Sequence, residues 1–408
     1  MALDRNLVGA TLRVSINSLV VIAAITLLGI KLAQGKDPVL PKSFLKQLSN
    51  ISEKLLLPCL FVTKVGKELT PEVAKTAWSL TAGSFAQMGI ALLVATLARY
   101  FVQPERSFHK WFVTGSVFNN AVAMPLILSE AIIMACRAAG IAFVGDEGAL
   151  DRAQAFVFCF SMANHMMVWT VAYSYVDERE AGKSVGQKLK TALTKRPIIA
   201  IVCGICIGLI TPVREVFFAE DAQSPLRSVA NAAEVLGRAT VGLTTTVMAG
   251  TLGHRIAAIR ARRAAAAKVA GAPEETDKAA DGGVRGVELE EAAGLVAEKD
   301  EEQKEKEEEL SVRTIAGFVF VRTVLVPSLQ LGVVIAAISA GIMPADKVML
   351  LVFVVECVTP SANFTIILSQ QVGQPKASEA LAEGILYQYC VAVVTTSLLL
   401  TVGLYAIV

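Results

Sequence analysis

Two stretches of this sequence set a proline close to asparagine inside otherwise apolar runs: SVFNNAVAMPLILSEAI over 116–132 and FVVECVTPSANFTIILSQ over 353–370. A proline within a helix removes an i→i−4 hydrogen bond and its ring clashes with the preceding turn, so Pro125 and Pro360 are expected to break or kink their helices. Backbone groups freed in this way cannot face hydrocarbon and must meet protein partners or line a polar cavity. The amides of Asn119, Asn120 and Asn363 lie near those breaks and offer both donors and acceptors. If two such broken helices cross at mid-membrane, their half-helix N-termini turn unpaired N–H groups and positive dipole ends toward one place. That arrangement binds a carboxylate without a formal positive charge. For either stretch alone the plain alternative is a kinking proline with an asparagine joining helices. The matched positions of the two favour the site.

Other polar groups fall inside apolar runs. Glu356 lies four residues before Pro360. A carboxyl there is costly unless paired or protonated, which makes it a candidate for proton coupling or gating, with pairing to an arginine as the rival. His165, next to Asn164, is a second coupling candidate, or else a packed hydrogen-bonding residue. Glu53 and Lys54 can reach an interface by snorkelling. Glu234 and Arg238, at i and i+4, are placed to neutralise each other. Gln154, Arg322 and Gln388 complete the set. The seven cysteines lie almost wholly in apolar runs and read as small buried residues, Cys203 and Cys206 included. No P-loop, dinucleotide glycine motif, HExxH or serine elbow is present, so an ATP-driven pump or a membrane hydrolase is disfavoured. No catalytic residue, cofactor or metal ion is expected.

The elements that must position these groups follow from composition. The chain has 408 residues, 54% hydrophobic and only 18% charged, with a mean hydropathy of +0.56; a soluble domain could not hide that much apolar surface. The apolar residues fall into runs long enough to cross ~30 Å of hydrocarbon. These runs predict spans near 14–33, 46–63, 74–98, 111–135, 153–176, 197–213, 228–252, 314–340, 348–370 and 381–407. No small-residue cleavage site follows the first run, so it is expected to remain as a span. With ten spans, 25 lysines and arginines fall on one side and ten on the other, which places both termini in a lumen or outside. Residues 253–313 depart from the pattern: they begin basic and alanine-rich and end acidic, with 15 of the chain's 36 acids between Glu274 and Glu309. Such a segment builds little core and is expected to be a cytoplasmic loop, partly helical and largely disordered.

Comparing spans 1–5 with 6–10 sets the two proline–asparagine stretches at the same place in each half. Five is odd, so the second half must enter the membrane from the opposite side, as in the inverted repeats of secondary transporters. The sequence therefore predicts an all-α polytopic membrane protein of about ten transmembrane helices, built as two inverted five-helix repeats with broken crossover helices 4 and 9. The first repeat occupies 1–176 and a cytoplasmic loop 177–196. The second repeat begins over 197–252, is interrupted by the charged loop 253–313, and finishes over 314–408.

The residues now on the page resemble the auxin efflux carrier superfamily, and within it the PIN-LIKES branch. The likeness rests on LLLPCLFVTKVGKELT (55–70), SVFNNAVAMPLIL (116–128), SVRTIAGFVFVRTVLVPSLQLGVV (311–334) and VTPSAN (358–363), in that order along a ten-span chain. It implies a scaffold part and a transport part with elevator-type alternating access and no ATP or metal. It implies that Asn119 or Asn120 and Asn363, beside Pro125 and Pro360, hold a substrate carboxylate. The substrate so implied is auxin (indole-3-acetate) or a related carboxylate, with dicarboxylates carried by bacterial relatives; a channel or a sensor of the same fold is the alternative. The implied location is the endoplasmic reticulum membrane, with the plasma membrane as the other choice. The partners expected are a small organic anion, the lipid bilayer, a coupled proton and a second copy of the chain as a homodimer; nucleic acid is not among them. Two departures stand out. The span 4 motif reads Asn119-Asn120-Ala121-Val122-Ala123 where glycines are usual, and the long polar loop lies between spans 7 and 8 and not between 5 and 6.

Overall fold

The computed structural model describes residues 20, 23–35, 37–138, 148–180, 182–219, 224, 226–270 and 310–407, with the backbone alone over 262–270. Every regular element among them is helical. α1 spans Ala23–Leu32. α2 runs from Lys42–Ile51 through a π-turn at Ser52–Leu56 into Leu57–Glu68. α3 is Pro71–Val102, α4 His109–Val117 and α5 Ala123–Ala138. α6 is Ala149–Val176, with a π-turn at Val168–Ala172. α7 is Val185–Leu193, α8 Arg196–Leu209, α9 Thr211–Phe218 and α10 Arg227–Ala270. α11 is Val312–Ser339, with a π-turn at Val321–Leu325. α12 is Lys347–Val358, α13 Phe364–Gln371 and α14 Pro375–Ile407.

Among the described residues, α3, α6, α11 and α14 are each long and apolar enough to cross a membrane unbroken. α7 and α8 meet at a 68° bend. Two of the expected spans are not continuous: the run 111–135 is split into α4 and α5, and 348–370 into α12 and α13. The π-turns of α2 and α11 each end two residues before a proline, Pro58 and Pro327. Those rings cannot donate and crowd the carbonyl four residues back, and a wider turn absorbs the mismatch without ending the helix. α10 overruns its expected end at 252 and carries the basic stretch on as helix to Ala270; 271–309 lie outside the described residues. The expected loop 177–196 contains α7, started by a capping box in which the Ser184 hydroxyl accepts the Gln187 N–H at 3.3 Å and the Gln187 side chain accepts the Ser184 N–H at 3.0 Å.

The helices pack as two groups. In the first, α2 is held between α8 and α10, and α10 also meets α1 through Gly253, against Ala33 and Ile30. In the second, α3 packs on α4, α6 and α11, and α14 packs on α11, α12 and α13. In a membrane, helices gain little from excluding apolar surface, so small residues that let backbones approach do much of the work. Gly204 and Gly208 of α8 form a GxxxG face on α2: a Cβ at Gly208 would lie 2.6 Å from the Leu69 carbonyl oxygen, and one at Gly204 2.9 Å from that of Phe61. Gly237 of α10 does the same from the other side, 2.8 Å from the Leu60 Cα. The cysteines divide accordingly. Cys136, Cys159 and Cys357 are buried as expected, whereas Cys203, Cys206 and Cys390 face outward, because hydropathy alone does not separate a lipid-facing position from a core one.

Close packing of α8 on α2 makes Gly208 intolerant of a side chain. Gly208→Ala is expected to destabilise the protein by about 1–3 kcal/mol, read as a lower melting temperature in detergent, while Gly89→Ala, whose Cβ meets nothing within 4 Å, leaves it unchanged or slightly higher.

Candidate functional site

α4 ends at Val117 and α12 at Val358, and in both the next residue turns to extended backbone: Phe118 with φ −91° and ψ 113°, Thr359 with φ −78° and ψ 142°. The two unwound segments then run antiparallel and bridge at Asn119 and Ser361. The Asn120 N–H donates to the Pro360 carbonyl at 2.8 Å, and the Ala362 N–H donates to the Phe118 carbonyl at 2.9 Å. Each break thus supplies the backbone partners the other lacks, so neither has to find them in lipid. Pro360 sits inside the unwound segment and its carbonyl is one of those acceptors. Pro125 lies elsewhere than its expected role required. It is the third residue of α5, where a missing N–H costs nothing because the first turn has no intrahelical acceptor for it. The break falls before Pro125.

The helix ends that precede the breaks point their carbonyls at one guanidinium. Arg322, on the π-turn of α11, is 1% exposed and donates to the Ser116 carbonyl at 3.2 Å and the Thr359 carbonyl at 2.6 Å. A cation at the C-terminal ends of α4 and α12 answers both helix dipoles, and the planar fork lets one side chain serve both. The Ser361 hydroxyl donates to the Gly115 carbonyl at 2.5 Å and the Thr396 hydroxyl to that of Val358 at 2.9 Å.

Side chains from the unwound segments sort onto two sides. Asn119 turns inward: its amide N–H groups face Glu356 Oε2 at 2.7 Å, the Glu356 carbonyl at 3.1 Å and Thr359 Oγ1 at 3.0 Å, and its Oδ1 accepts from Asn164 Nδ2 at 2.6 Å. Gln388 of α14 holds the partner segment, its Oε1 accepting the Ser361 N–H at 2.9 Å. Glu356 is fully buried, and its Oε1, like Arg322 Nε, is without a hydrogen-bond partner. Arg322 directs its bonds to the carbonyls.

Asn120 turns the other way. Its Oδ1 accepts the Ala123 N–H at 3.2 Å and so caps α5; its Nδ2 donates to Tyr389 Oη at 3.0 Å, and that hydroxyl reaches Asn363 Oδ1 at 3.5 Å. Asn120 and Asn363 line a cavity of about 20 Å³ with Phe364, the first residue of α13, and with Leu60 of α2 and Thr240 and Thr244 of α10. The start of α5 and the start of α13 therefore face one small space with amides beside them and no charged side chain in the lining. Pro125 is outside that lining. His165 is buried beside it, its Nδ1 on the Ser161 carbonyl at 2.9 Å and its ring edge-on between Phe61 and Phe364 at 4.8 and 4.7 Å. It does not share the bonds of its neighbour Asn164.

Tyr389 and the threonines of α10 escaped sequence reasoning. Tyr389 follows Gln388 in an apolar run, and that pair of polar residues was the available signal. The pairing of Glu234 with Arg238 holds at 2.9 Å, and Lys64 joins it at 3.2 Å.

Arg322 ties both half-helix ends to α11. Arg322→Leu is expected to cost about 3 kcal/mol in unfolding in detergent, because two helix-end carbonyls and a buried carboxyl lose their cation. Arg322→Lys is expected to recover only part of that, since an ammonium lacks the fork; a Leu variant as stable as the parent would contradict the assignment.

Residues 14–400 match the family described as membrane transport protein. Over 183 residues the chain is 21% identical to Protein PIN-LIKES 2 of Arabidopsis thaliana, a match covering 43% of this chain and 39% of that protein, so the chain spans about two fifths of the length of this curated relative. The chain belongs to the membrane transport protein family, that of the auxin efflux carriers, and is an integral multi-pass membrane protein.

Proposed function

We propose that the protein is a secondary transporter in which a small organic anion binds at the helix crossover, its carboxylate on Asn120 and Asn363 at the positive ends of α5 and α13. The observation that carries this reading is the convergence of those two helix starts and two asparagines on one cavity. N–H groups and positive dipole ends are what a carboxylate requires there. The absence of a charged lining lets the site bind and release, since a buried fixed cation would hold the anion too firmly.

In this reading the chain crosses the membrane ten times as two inverted repeats. α1, α2, α3, α4 with α5, and α6 form the first; α8, α10, α11, α12 with α13, and α14 form the second. A matched detail supports the pairing. α6 and α14, which follow the two broken helices, each send an amide to the bridged residue: Asn164 to Asn119, and Gln388 to Ser361. The cavity lies between α2 and α10 on one side and α5 and α13 on the other, so relative sliding of the two helix groups would open it to one face and then the other. At about 20 Å³ it has room for no more than a single water. An organic anion therefore needs that movement to enter.

The substrate class follows from the site and the family together: indole-3-acetate or a related carboxylate, with a C4 dicarboxylate as the second choice. Glu356, buried with one oxygen unpartnered, is the group whose protonation would couple to movement of the crossover. Uptake into proteoliposomes of labelled indole-3-acetate and of succinate, with and without a pH gradient, tests the reading. Saturable uptake that falls at least tenfold in Asn120→Ala and in Asn363→Ala, with protein yield unchanged, is the expected result, and Glu356→Gln should remove its dependence on the pH gradient. Unchanged uptake in both asparagine variants would sink the site assignment. Single-channel conductance, or binding without flux, would favour a channel or a sensor.

A further inference from the structure

A second and larger cavity opens on the same seam between the helix groups. It measures about 430 Å³ and lies where the beginning of α2 and the middle of α10 face the end of α13 and the beginning of α14. That is within the range of small-molecule sites. On α10 it starts at Thr251, two turns from Thr244 of the crossover cavity, a distance of about 10 Å. In this conformation it is the larger cavity that can accept an organic anion.

Its lining has the chemistry for one. Lys42, Lys46 and His254 come from the first helix group, Gln370 and Glu379 from the second, and Leu45 supplies apolar wall. Lys42 Nζ sits on Glu379 Oε1 at 2.7 Å, with the lysine side chain 64% exposed and the glutamate 19%. The occupant of Lys42 is thus a carboxylate already, belonging to the protein and held in a solvent-facing pair of modest strength. His254 donates Nε2–H to the Leu40 carbonyl at 2.7 Å, so the neutral ring offers an acceptor and not a donor at Nδ1, and the lysines are the groups that meet an anion. Toward the crossover the cavity is walled by Gln370, bonded to the Ser49 hydroxyl and, at 3.3 and 3.2 Å, to the hydroxyls of Thr251 and Ser378.

We propose that this cavity is a second carboxylate site, in which an organic anion displaces Glu379 from Lys42 and is held with Lys46. The ligand class and the mechanical consequence rest on the transport reading above; the site itself does not. The exchange has a mechanical consequence, because Lys42 is on α2 and Glu379 on α14. An anion that takes Lys42 removes a tie between the two helix groups and leaves the Arg255–Glu383 pair as the remaining ionic link between α10 and α14 among those described here. Binding at the rim therefore loosens the contact that must slide for the anion to reach the crossover.

The test is equilibrium binding of labelled indole-3-acetate, and in parallel succinate, to the purified full chain carrying Asn120→Ala and Asn363→Ala, so that the crossover is disabled and the larger cavity is read alone. Adding Glu379→Gln should tighten binding about two- to fivefold, the worth of a solvent-facing ion pair. Adding Lys42→Gln with Lys46→Gln should weaken it about tenfold, as expected for the loss of charge-assisted hydrogen bonds. Affinity unchanged by either set, or no binding of either anion, overturns the proposal. A misfolded protein does not bind more tightly, so the Glu379→Gln arm reads the site and not the fold. If the asparagine substitutions leave uptake intact, the crossover reading fails while this binding result still stands or falls on its own.

Discussion

Two backbone hydrogen bonds between unwound segments hold the centre of this protein together: Asn120 N–H to the Pro360 carbonyl, and Ala362 N–H to the Phe118 carbonyl. Interrupting a helix inside a membrane strands donors and acceptors, at about 1–3 kcal/mol for each buried group left unpaired. Here two interruptions meet and complete one another. Neither break is stable without its partner, and so the α4–α5 and α12–α13 pairs must be placed face to face by everything around them. Arg322 gathers the carbonyl ends, Ser361 and Thr396 take two further carbonyls, and the amides of Asn164 and Gln388 fix the bridged residues from the helices that follow.

The crossover also sorts its side chains by direction. Consecutive residues of extended backbone point to opposite sides, and Asn119 and Asn120 use that rule. Asn119 enters a buried network with Glu356 and Asn164. Asn120 faces the seam between the helix groups, beside Asn363 and Tyr389. The polar core that holds the breaks open is therefore different from the surface that meets the seam. Glycines bring α2, α8 and α10 into backbone contact, and apolar residues of α2, α8 and α10 such as Phe61, Ile201 and Met248 share one core with the other helices.

Much of this was legible in the sequence, for physical reasons that also explain what was not. Proline with asparagine in the middle of an apolar run marked both breaks, and the matching of the two runs gave their meeting. Pro125 misled by position, because a proline in the first turn of a helix is as well tolerated as one just before it; the break belongs to the segment Phe118–Val122. Pro58 and Pro327 carried a signal that was not read, a π-turn in place of a break. Tyr389 was marked only as the polar neighbour of Gln388, because its role depends on a contact with Asn120, 269 positions away in the chain. The outward cysteines of α8 and α14 were misplaced because lipid and protein core are alike apolar, and α7 was marked only by a four-residue capping box.

The central claim is that the crossover cavity lies on a path open alternately to the two faces of the membrane. The most direct measurement places a single cysteine at Thr244, on the α10 wall of that cavity, in a chain whose seven native cysteines are replaced by serine, and follows its modification by a membrane-impermeant thiol reagent from each side. Reaction from either side, slowed by saturating organic anion, is the result the account predicts. Reaction from one side only, at a rate the anion does not change, would contradict it.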